Sequence, residues 1–532
     1  MPKNCETKFG KSFILPNQGL RSYFDIVRNG QPDVIRAPFA KKENPQKVLK
    51  EWMIHLESLS DRWPTLVDYE KDLAKKVGPM SVMKPLDDRL TDIDHYYEDI
   101  LLPSKPIDDR AVKAAIAEFA GSRGLRVRDQ KRTIDLMKKS TNSGSPYFTK
   151  RRRVVDSTYP CQVYANTMTQ VLTSGAEYDM AAVLGWRGQE GGPNPDDVKQ
   201  RVVWMFPFAA NIRELQVYQP LIESFQKNDL VPAWVSMDAV DQRITKMFDT
   251  KGDDDLVICT DFSKFDQHFN PDMQQCAKTI LTAMLTPSQD SRTWLDHVFP
   301  VKYNIPLTYD YGKIRCGSHG MGSGSGGTNA DETLVHRTLQ YEAAQSVNQK
   351  LNPFSQCLGD DGVLTYPGIQ VEDVVRAYSS HGQEMNTSKQ YASKHDCTYL
   401  RRWHHTGYRV DGVCVGVYST CRALGRLMYQ ERFYDPEVWG PKMVALRQLS
   451  ILENVKWHPL RDQFAEFCMK RDKYRLGIDI PGFLVNIEQE AKEAIDLMPD
   501  FLGYTKSMQM GDSPRQTGIE DWWIVNYLKS KQ

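Results

Sequence analysis

Two acidic stretches carry the chemistry this sequence offers. In Phe354 to Tyr366, FSQCLGDDGVLTY, Asp360 and Asp361 stand side by side between Gly359 and Gly362, with apolar residues on both flanks. Two carboxylates about 5 Å apart repel by roughly 3 kcal/mol at an effective dielectric near 20. Solvation removes most of that cost, and a bound cation turns it into attraction. Asp and Gly are also ordinary turn residues, so this stretch alone is compatible with a plain hairpin tip. Asp261 and Asp266 shift the balance. Asp261 ends the apolar run Leu256-Val257-Ile258-Cys259-Thr260. Alone it reads as a turn residue or helix cap. Beside a hairpin tipped by Asp360 and Asp361, it can bring hard oxygen ligands together on Mg²⁺, with positions left for phosphate and water.

Between the two acidic stretches lies Gly322-Ser323-Gly324-Ser325-Gly326-Gly327. It fits the dinucleotide fingerprint G-x-G-x-x-G, with Glu342 about 20 residues from its start. It also suits a loop that hydrogen-bonds a sugar–phosphate chain through Ser323, Thr328 and Asn329. Its place between the acidic stretches, far from a first strand, favours the second reading.

These groups need elements to hold them. Leu256 to Thr260 is a short buried strand. The glycine loop runs into a helix from about Asn329, and Val371 to Gly382 is a helix stopped by glycine. Asp108 to Gly124 is another helix. Ser140 to Val155 is a turn-rich loop ending in a basic run, and Glu190 to Asp197 is a loop before the alternating strand pattern VKQRVVWMFPF. CTYLRRWHHTGYRVDGVCVGVY is β-rich, and Ser419 to Leu502 is mostly helical. The stretch up to about Lys71 mixes short apolar runs with proline and charge, and reads as irregular and draped over other parts. Helical and β patterns interleave, which gives an α+β class.

The chain has 532 residues, 40% apolar and 26% charged, with a net charge of zero. That length calls for several subdomains. With no global basic bias, any anion-binding surface must be a local concentration. The first residues lack the apolar run of a signal peptide, and no stretch approaches a membrane span. The ten cysteines contain no CxxC pair, so reduced thiols are expected rather than disulfides or zinc.

In order along the chain stand D-x4-D, S-G-x-x-G-T-N and G-D-D. This resembles the palm of viral RNA-dependent RNA polymerases. Asp261 and Asp266 resemble motif A, Ser323, Gly324, Thr328 and Asn329 motif B, and Gly359-Asp360-Asp361 motif C. GQEMNTSK, ending in Lys389, resembles motif D with its general-acid lysine, and YLRRWH, with Arg401 and Arg402, resembles motif E. Lys199 and Arg201 resemble the triphosphate-holding motif F. SGSPY, with Ser143, Gly144 and Pro146, resembles motif G at the template entrance, and Lys150 to Arg153 lie behind it. Within the family the whole chain resembles the polymerases of picobirnaviruses, whose genome is bisegmented double-stranded RNA. One position departs: where relatives carry Asn four residues after the motif B threonine, this chain has Glu332. Either Asn329 takes over ribose recognition there, or Asp266 acts with Ser323 and Thr328.

The resemblance implies a closed right hand of fingers, palm and thumb, the palm an antiparallel sheet backed by helices. It implies borders at 1–70 for an N-terminal segment bridging fingers and thumb, 71–250 for fingers, 251–287 for the palm with motif A, 288–318 for a fingers insertion, 319–415 for the rest of the palm, and 416–532 for thumb and tail. The implied activity is RNA-templated RNA synthesis by two-metal nucleotidyl transfer, replicating and transcribing a viral genome in the host cytoplasm and virion interior. Asp261, Asp360 and Asp361 are the implied ligands of Mg²⁺, or of Mn²⁺ in its place, and Lys389 the implied acid. Lys199, Arg201, Asp266, Ser323, Thr328 and Asn329 are the implied nucleotide contacts. Ser143, Gly144, Pro146, Lys150, Arg151, Gly324, Arg401 and Arg402 are the implied RNA contacts. The implied partners are single-stranded RNA template, nascent RNA, ribonucleoside triphosphates and a viral capsid protein, without a membrane. A loop from Ser507 to Gly518, ahead of the apolar stretch Trp522 to Leu528, suggests an initiation platform or plug, part of the loop folding back toward the active site. A two-metal nuclease, a non-catalytic RNA-binding protein and a dinucleotide-dependent enzyme are the competing classes.

Overall fold

The computed structural model describes residues 19–164, 170–173, 177–435, 437–495, 497–498 and 518–532. Most of the proposed tail loop, 507–517, lies outside them. The chain divides into two compact units. The first comprises Met1–Gly30, Pro85–Trp186 and Val202–Cys397, and the second Gln31–Lys84, Arg187–Arg201 and Thr398–Gln532.

The first unit contains the expected antiparallel sheet backed by helices. In chain order its central elements are α1 (Asp109–Glu118), α2 (Phe208–Lys227), β1 (Val257–Thr260), α3 (Pro271–Met284), α4 (Thr328–Gln345), β2 (Gln356–Leu358), β3 (Asp361–Leu364), α5 (Val371–Ser379) and β4 (Tyr391–Ser393). The strands lie in the order β4-β1-β3-β2, every neighbour antiparallel. All four residues of β1 are buried, as a strand covered on both faces requires. Helix α3 starts where Asn270 accepts hydrogen bonds from the Asp272 and Met273 amides at 3.1 and 3.2 Å, with Pro271 in the first turn. Helix α4 runs through the interior of this unit, with residues as polar as Asp331, His336, Arg337 and Gln340 buried along it. Each therefore needs a partner. The Arg337 guanidinium donates to Glu118 at 2.6 and 2.8 Å and to the Ser355 carbonyl at 2.7 Å, which ties α4 to α1 and to the approach to β2.

The second unit has its own core. Helices Pro45–Leu56 and Pro64–Ala74 contribute Val48, Leu49, Trp52, Leu66 and Val67 to a cluster with Leu424, Leu427, Leu446, Leu449, Phe464 and, from the C-terminal helix Trp523–Ser530, Ile524, Val525 and Leu528. Glu70 is fully buried and accepts from the Thr420 amide at 3.1 Å and the Cys421 amide at 3.4 Å, capping helix Thr420–Met428. The expectation of an irregular segment up to Lys71 is thus corrected for the described residues, which form three helices from Gly19 onward. Pro45 and Pro64 sit in the first turn of their helices, where the missing N–H has no partner to lose.

Among the described residues, eight cysteines are free and buried. Cys316 departs from the expectation of reduced thiols, being disulfide-bonded. Among the described residues no helix is long and apolar enough to cross a membrane.

Candidate functional site

Strand register brings the two acidic stretches together. β3 pairs with β1 through Gly362 opposite Thr260 and Val363 opposite Cys259. Continuing that register by one residue sets Asp361 opposite Asp261. Gly359 adopts φ +58° to make the tight turn from β2, leaving Asp360 exposed at the tip and Asp361 half-buried as β3 begins. Asp261 is exposed at the end of β1. Its amide donates to Gln390 Oε1 at 2.7 Å, and its carbonyl accepts from Gln390 Nε2 at 2.9 Å. Gln390 therefore fixes the backbone of Asp261 from both sides. Lys389, its neighbour, is exposed at the end of the Thr387–Lys389 turn.

Helix α4 supplies the floor. Thr333 Oγ1 accepts from the Gly359 amide at 2.9 Å, and His336 Nδ1 meets the Gly359 carbonyl at 2.9 Å. Burial pushes the His336 pKa down to about 4, so the ring is neutral and donates from Nδ1. A Cβ at Gly362 would lie 2.5 Å from His336 Cε1, so glycine is what lets β3 lie against this ring.

Glu332, on the same helix, joins the acidic group. Its pKa is raised well above the ordinary value, first by burial and then by the charge of Asp266 and a hydrogen bond to it, with smaller contributions from Asp360 and Asp331. Two carboxylates in hydrogen-bond contact cannot both stay ionised, so Glu332 holds the shared proton and donates it to Asp266. A Cβ on Gly359 would be 3.5 Å from Glu332 Oε2 and 3.7 Å from Asn329 Nδ2. Asn329 in turn accepts from Trp234 Nε1 at 2.9 Å.

The glycine loop is seated on the same unit. Ser323 Oγ accepts from the Trp204 amide at 3.2 Å, and Thr328 Oγ1 donates to the Gly322 carbonyl at 3.1 Å. Gly324 lies so close to the Trp204 carbonyl that a Cβ would stand 1.6 Å from its oxygen. In the Ser143 segment, Ser143 is buried and its carbonyl accepts from the Phe208 amide at 2.8 Å. Gly144 takes φ +62°, Ser145-Pro146 is cis, and Lys150 is exposed. Arg151 is turned inward: Nη2 donates to Asn211 Oδ1 at 2.6 Å, and burial lowers its pKa to about 10.

The second unit holds a basic group. Lys199 and Arg201 are exposed on strand Lys199–Met205, and Arg401 is exposed in the tight turn before Arg402. The Lys199 pKa is lowered, first by burial and then by Lys76, Arg401 and Arg201 around it. Arg422 pairs with Glu190 at 2.5 Å. Arg402 is buried, with Nη1 2.3 Å from where a Cβ on Gly416 would stand. Lys76 escaped the sequence reading because nothing in the linear order places it beside Lys199, and Arg422 and Arg426 because nothing there places them around Glu190. Gln390, His336 and Glu332 escaped it as partners of the acidic site for the same reason.

Among the described residues, no three His, Cys, Asp or Glu side chains are grouped closely enough to hold a metal ion as they stand. The donor chemistry of Asp261 and Asp360 still fits a divalent cation: both are hard carboxylates, exposed, at the ends of neighbouring strands.

The family model described as viral RNA-dependent RNA polymerase matches residues 86–412. The chain is 63% identical over 528 residues to the potential RNA-dependent RNA polymerase of human picobirnavirus (strain Human/Thailand/Hy005102/-), covering 98% of this chain and 99% of that one. The crystal structure of the RNA-dependent RNA polymerase of a human picobirnavirus is similar with a TM-score of 0.93 and 61% identity, over 98% of this chain and 99% of that one. An insertion-loop deletion mutant of a human picobirnavirus polymerase gives 0.92 and 60% over the same shares.

Proposed function

Because the chain belongs to the viral RNA-dependent RNA polymerases, we propose that Asp261 and Asp360 hold the divalent ions on which this family's RNA synthesis depends, with Asp361 as a secondary ligand. The observation that carries this is the β1–β3 register, which sets Asp261 opposite Asp361. When bound, two such ions lower the pKa of a primer 3′-hydroxyl and stabilise departing pyrophosphate. Gln390 keeps Asp261 in line at the strand end, and Lys389 beside it protonates the leaving group. Asp266, its orientation set by the proton on Glu332, meets the ribose together with Ser323, Thr328 or Asn329. Lys199 and Arg201 neutralise the triphosphate. Lys150, with Pro146 near it, lines the template path and Arg401 supports the nascent strand, both side chains being exposed. Ser143 and Arg402 are buried, and Gly144 and Gly324 are packed against the Phe206 and Trp204 carbonyls, so these four shape the RNA-facing segments from within and do not touch RNA themselves.

The fingers, palm and thumb borders drawn from the sequence, replication and transcription of a viral genome, action in host cytoplasm and virion, and contact with a capsid protein all belong to this reading. Incubation with a single-stranded RNA template, four ribonucleotides and Mg²⁺, beside Asp360→Ala, tests it. Template-length product only in the wild type is expected. Equal product from both proteins removes Asp360 from the reaction, and shortened template without incorporation replaces the polymerase with a nuclease.

A further inference from the structure

Helix α2 carries a fully buried carboxylate that the reaction does not use. Glu214 Oε1 accepts from the Gly326 amide and from Asn211 Nδ2, both at 3.1 Å, and its other oxygen accepts from the Ser325 hydroxyl. Ser325 Oγ accepts from the Gly327 amide at 3.0 Å. Asn211, one turn earlier, donates to the Gly324 carbonyl at 3.2 Å. One turn later, Tyr218 lies so close that a Cβ on Gly327 would stand 2.3 Å from its ring. Positions 211, 214 and 218 share one helix face, and that face meets Gly324, Ser325, Gly326 and Gly327 in succession. Lys302 supports the loop from another direction, its carbonyl accepting from the Gly322 amide at 3.0 Å.

We propose that Glu214 is a positioning residue for nucleotide selection: with Asn211 it fixes the 324–327 segment, and through it the placement of Ser323 and Thr328 toward the incoming nucleotide. Arg151 belongs to the same device. Its guanidinium is committed to Asn211 at 2.6 Å and to the Lys138 carbonyl at 3.2 Å, and it lies over the Phe208 ring. It therefore acts on the loop through Asn211 and does not grip RNA phosphate. A loop rich in glycine has many conformations to lose on ordering. Anchoring three successive residues from a rigid helix removes that freedom before the nucleotide arrives. The inference rests on the reading that this loop contacts nucleotide.

The test is steady-state incorporation on a fixed primer–template by Glu214→Ala, Glu214→Gln, Ser325→Ala and Arg151→Ala, with Asp360→Ala as a control for the reaction itself. Glu214→Ala is expected to raise the KM for nucleotide about tenfold or more in protein that melts as a folded species. Glu214→Gln keeps an acceptor for Gly326 and is expected to restore KM to within about threefold of wild type. Should Glu214→Ala fail to fold, Ser325→Ala decides, with a raised KM expected and an unchanged one overturning the proposal. Arg151→Ala is expected to raise the nucleotide KM while leaving the salt dependence of RNA affinity unchanged. A shallower salt slope would make it a phosphate contact and overturn its place in the device. Activity in Asp360→Ala would refute the reading of the reaction, independently of the loop.

Discussion

Gly362→Ala tests how tightly the acidic tip is held. The new methyl would lie 2.5 and 2.7 Å from His336 Cε1 and Nε2, and 2.8 Å from Thr260 Oγ1. The imidazole has no room to retreat: it is fully buried, hydrogen-bonded to the Gly359 carbonyl at 2.9 Å, and packed edge-on against Phe262 and Tyr378. Either β3 separates from β1 or His336 lets go of Gly359. Overpacking of this kind costs about 1–3 kcal/mol, and a lost buried hydrogen bond adds about 1 kcal/mol. At this chain length the sum lowers the melting temperature by roughly 2–4 °C. Because the displaced strand begins at Asp361, RNA synthesis should fall well beyond the loss of folded protein. The assay is a double-mutant cycle with His336→Ser, reading melting temperature and single-nucleotide incorporation. The smaller side chain vacates the clash, so the pair should be coupled favourably by about 1–3 kcal/mol. Additive losses, or a Gly362→Ala protein with wild-type melting and activity, would refute the packing argument.

Other expectations follow from the same contacts. Gly324→Ala places a methyl 1.6 Å from the Trp204 carbonyl oxygen, so incorporation assays should show near-complete loss of activity while the fold, read by circular dichroism, persists. Glu332→Gln keeps a neutral donor toward Asp266 and should retain kcat/KM to within about threefold, whereas Glu332→Ala, which leaves Asp266 without that partner, should lose about tenfold; equal losses would remove the shared proton from the account. Arg337→Met leaves Glu118 buried without its cation and should cost about 3–5 kcal/mol in thermal or denaturant unfolding. That deficit should depend on pH. Burial alone would raise the Glu118 pKa, but the charge and hydrogen bonds of Arg337 outweigh it and hold it below the ordinary 4.5. A depressed carboxylate stabilises above its unfolded pKa and loses that contribution as pH falls through the folded one. The gap between Arg337→Met and wild type should therefore begin to narrow above pH 4.5, where burial without Arg337 lets Glu118 of the variant take up its proton, and go on narrowing until pH falls through the depressed wild-type value; a gap constant into acid would contradict it.

What the sequence made legible was local. A short apolar run ending in Asp261, a Gly-Asp-Asp-Gly turn and a glycine loop opening a helix each announce themselves within a dozen residues, and the structure has all three elements. What stayed hidden was contact between distant positions. Gln390 clamps Asp261 across 129 residues, and Glu214 meets Gly326 across 112. A glutamine after a lysine, or a glutamate in a helix, carries no linear mark of such a partner. Arg151 shows the same limit from the other side: in a run of four basic residues it looks like an RNA contact, and nothing in that run marks the hydrogen bond its guanidinium donates to Asn211.

Helix α4 explains why so much depended on tertiary context. A helix polar on every side would ordinarily be assigned to a surface, but α4 is buried along most of its length, and its polar residues are distributed among the parts of the site. Thr328 and Asn329 close the glycine loop, Glu332 reaches Asp266, Thr333 and His336 carry Gly359, Arg337 and Gln340 hold the entry to β2, and Glu342 accepts from the Asp108 amide at 2.8 Å. Buried polar groups of this density cost stability unless every one is satisfied, so the helix is better explained by the positions it fixes than by the energy it contributes. A substitution at its N-terminal end should then change nucleotide KM and spare the melting temperature. One at Arg337 should do the reverse, because its partners, Glu118 and the Ser355 carbonyl, lie behind the sheet's acidic edge and not at it.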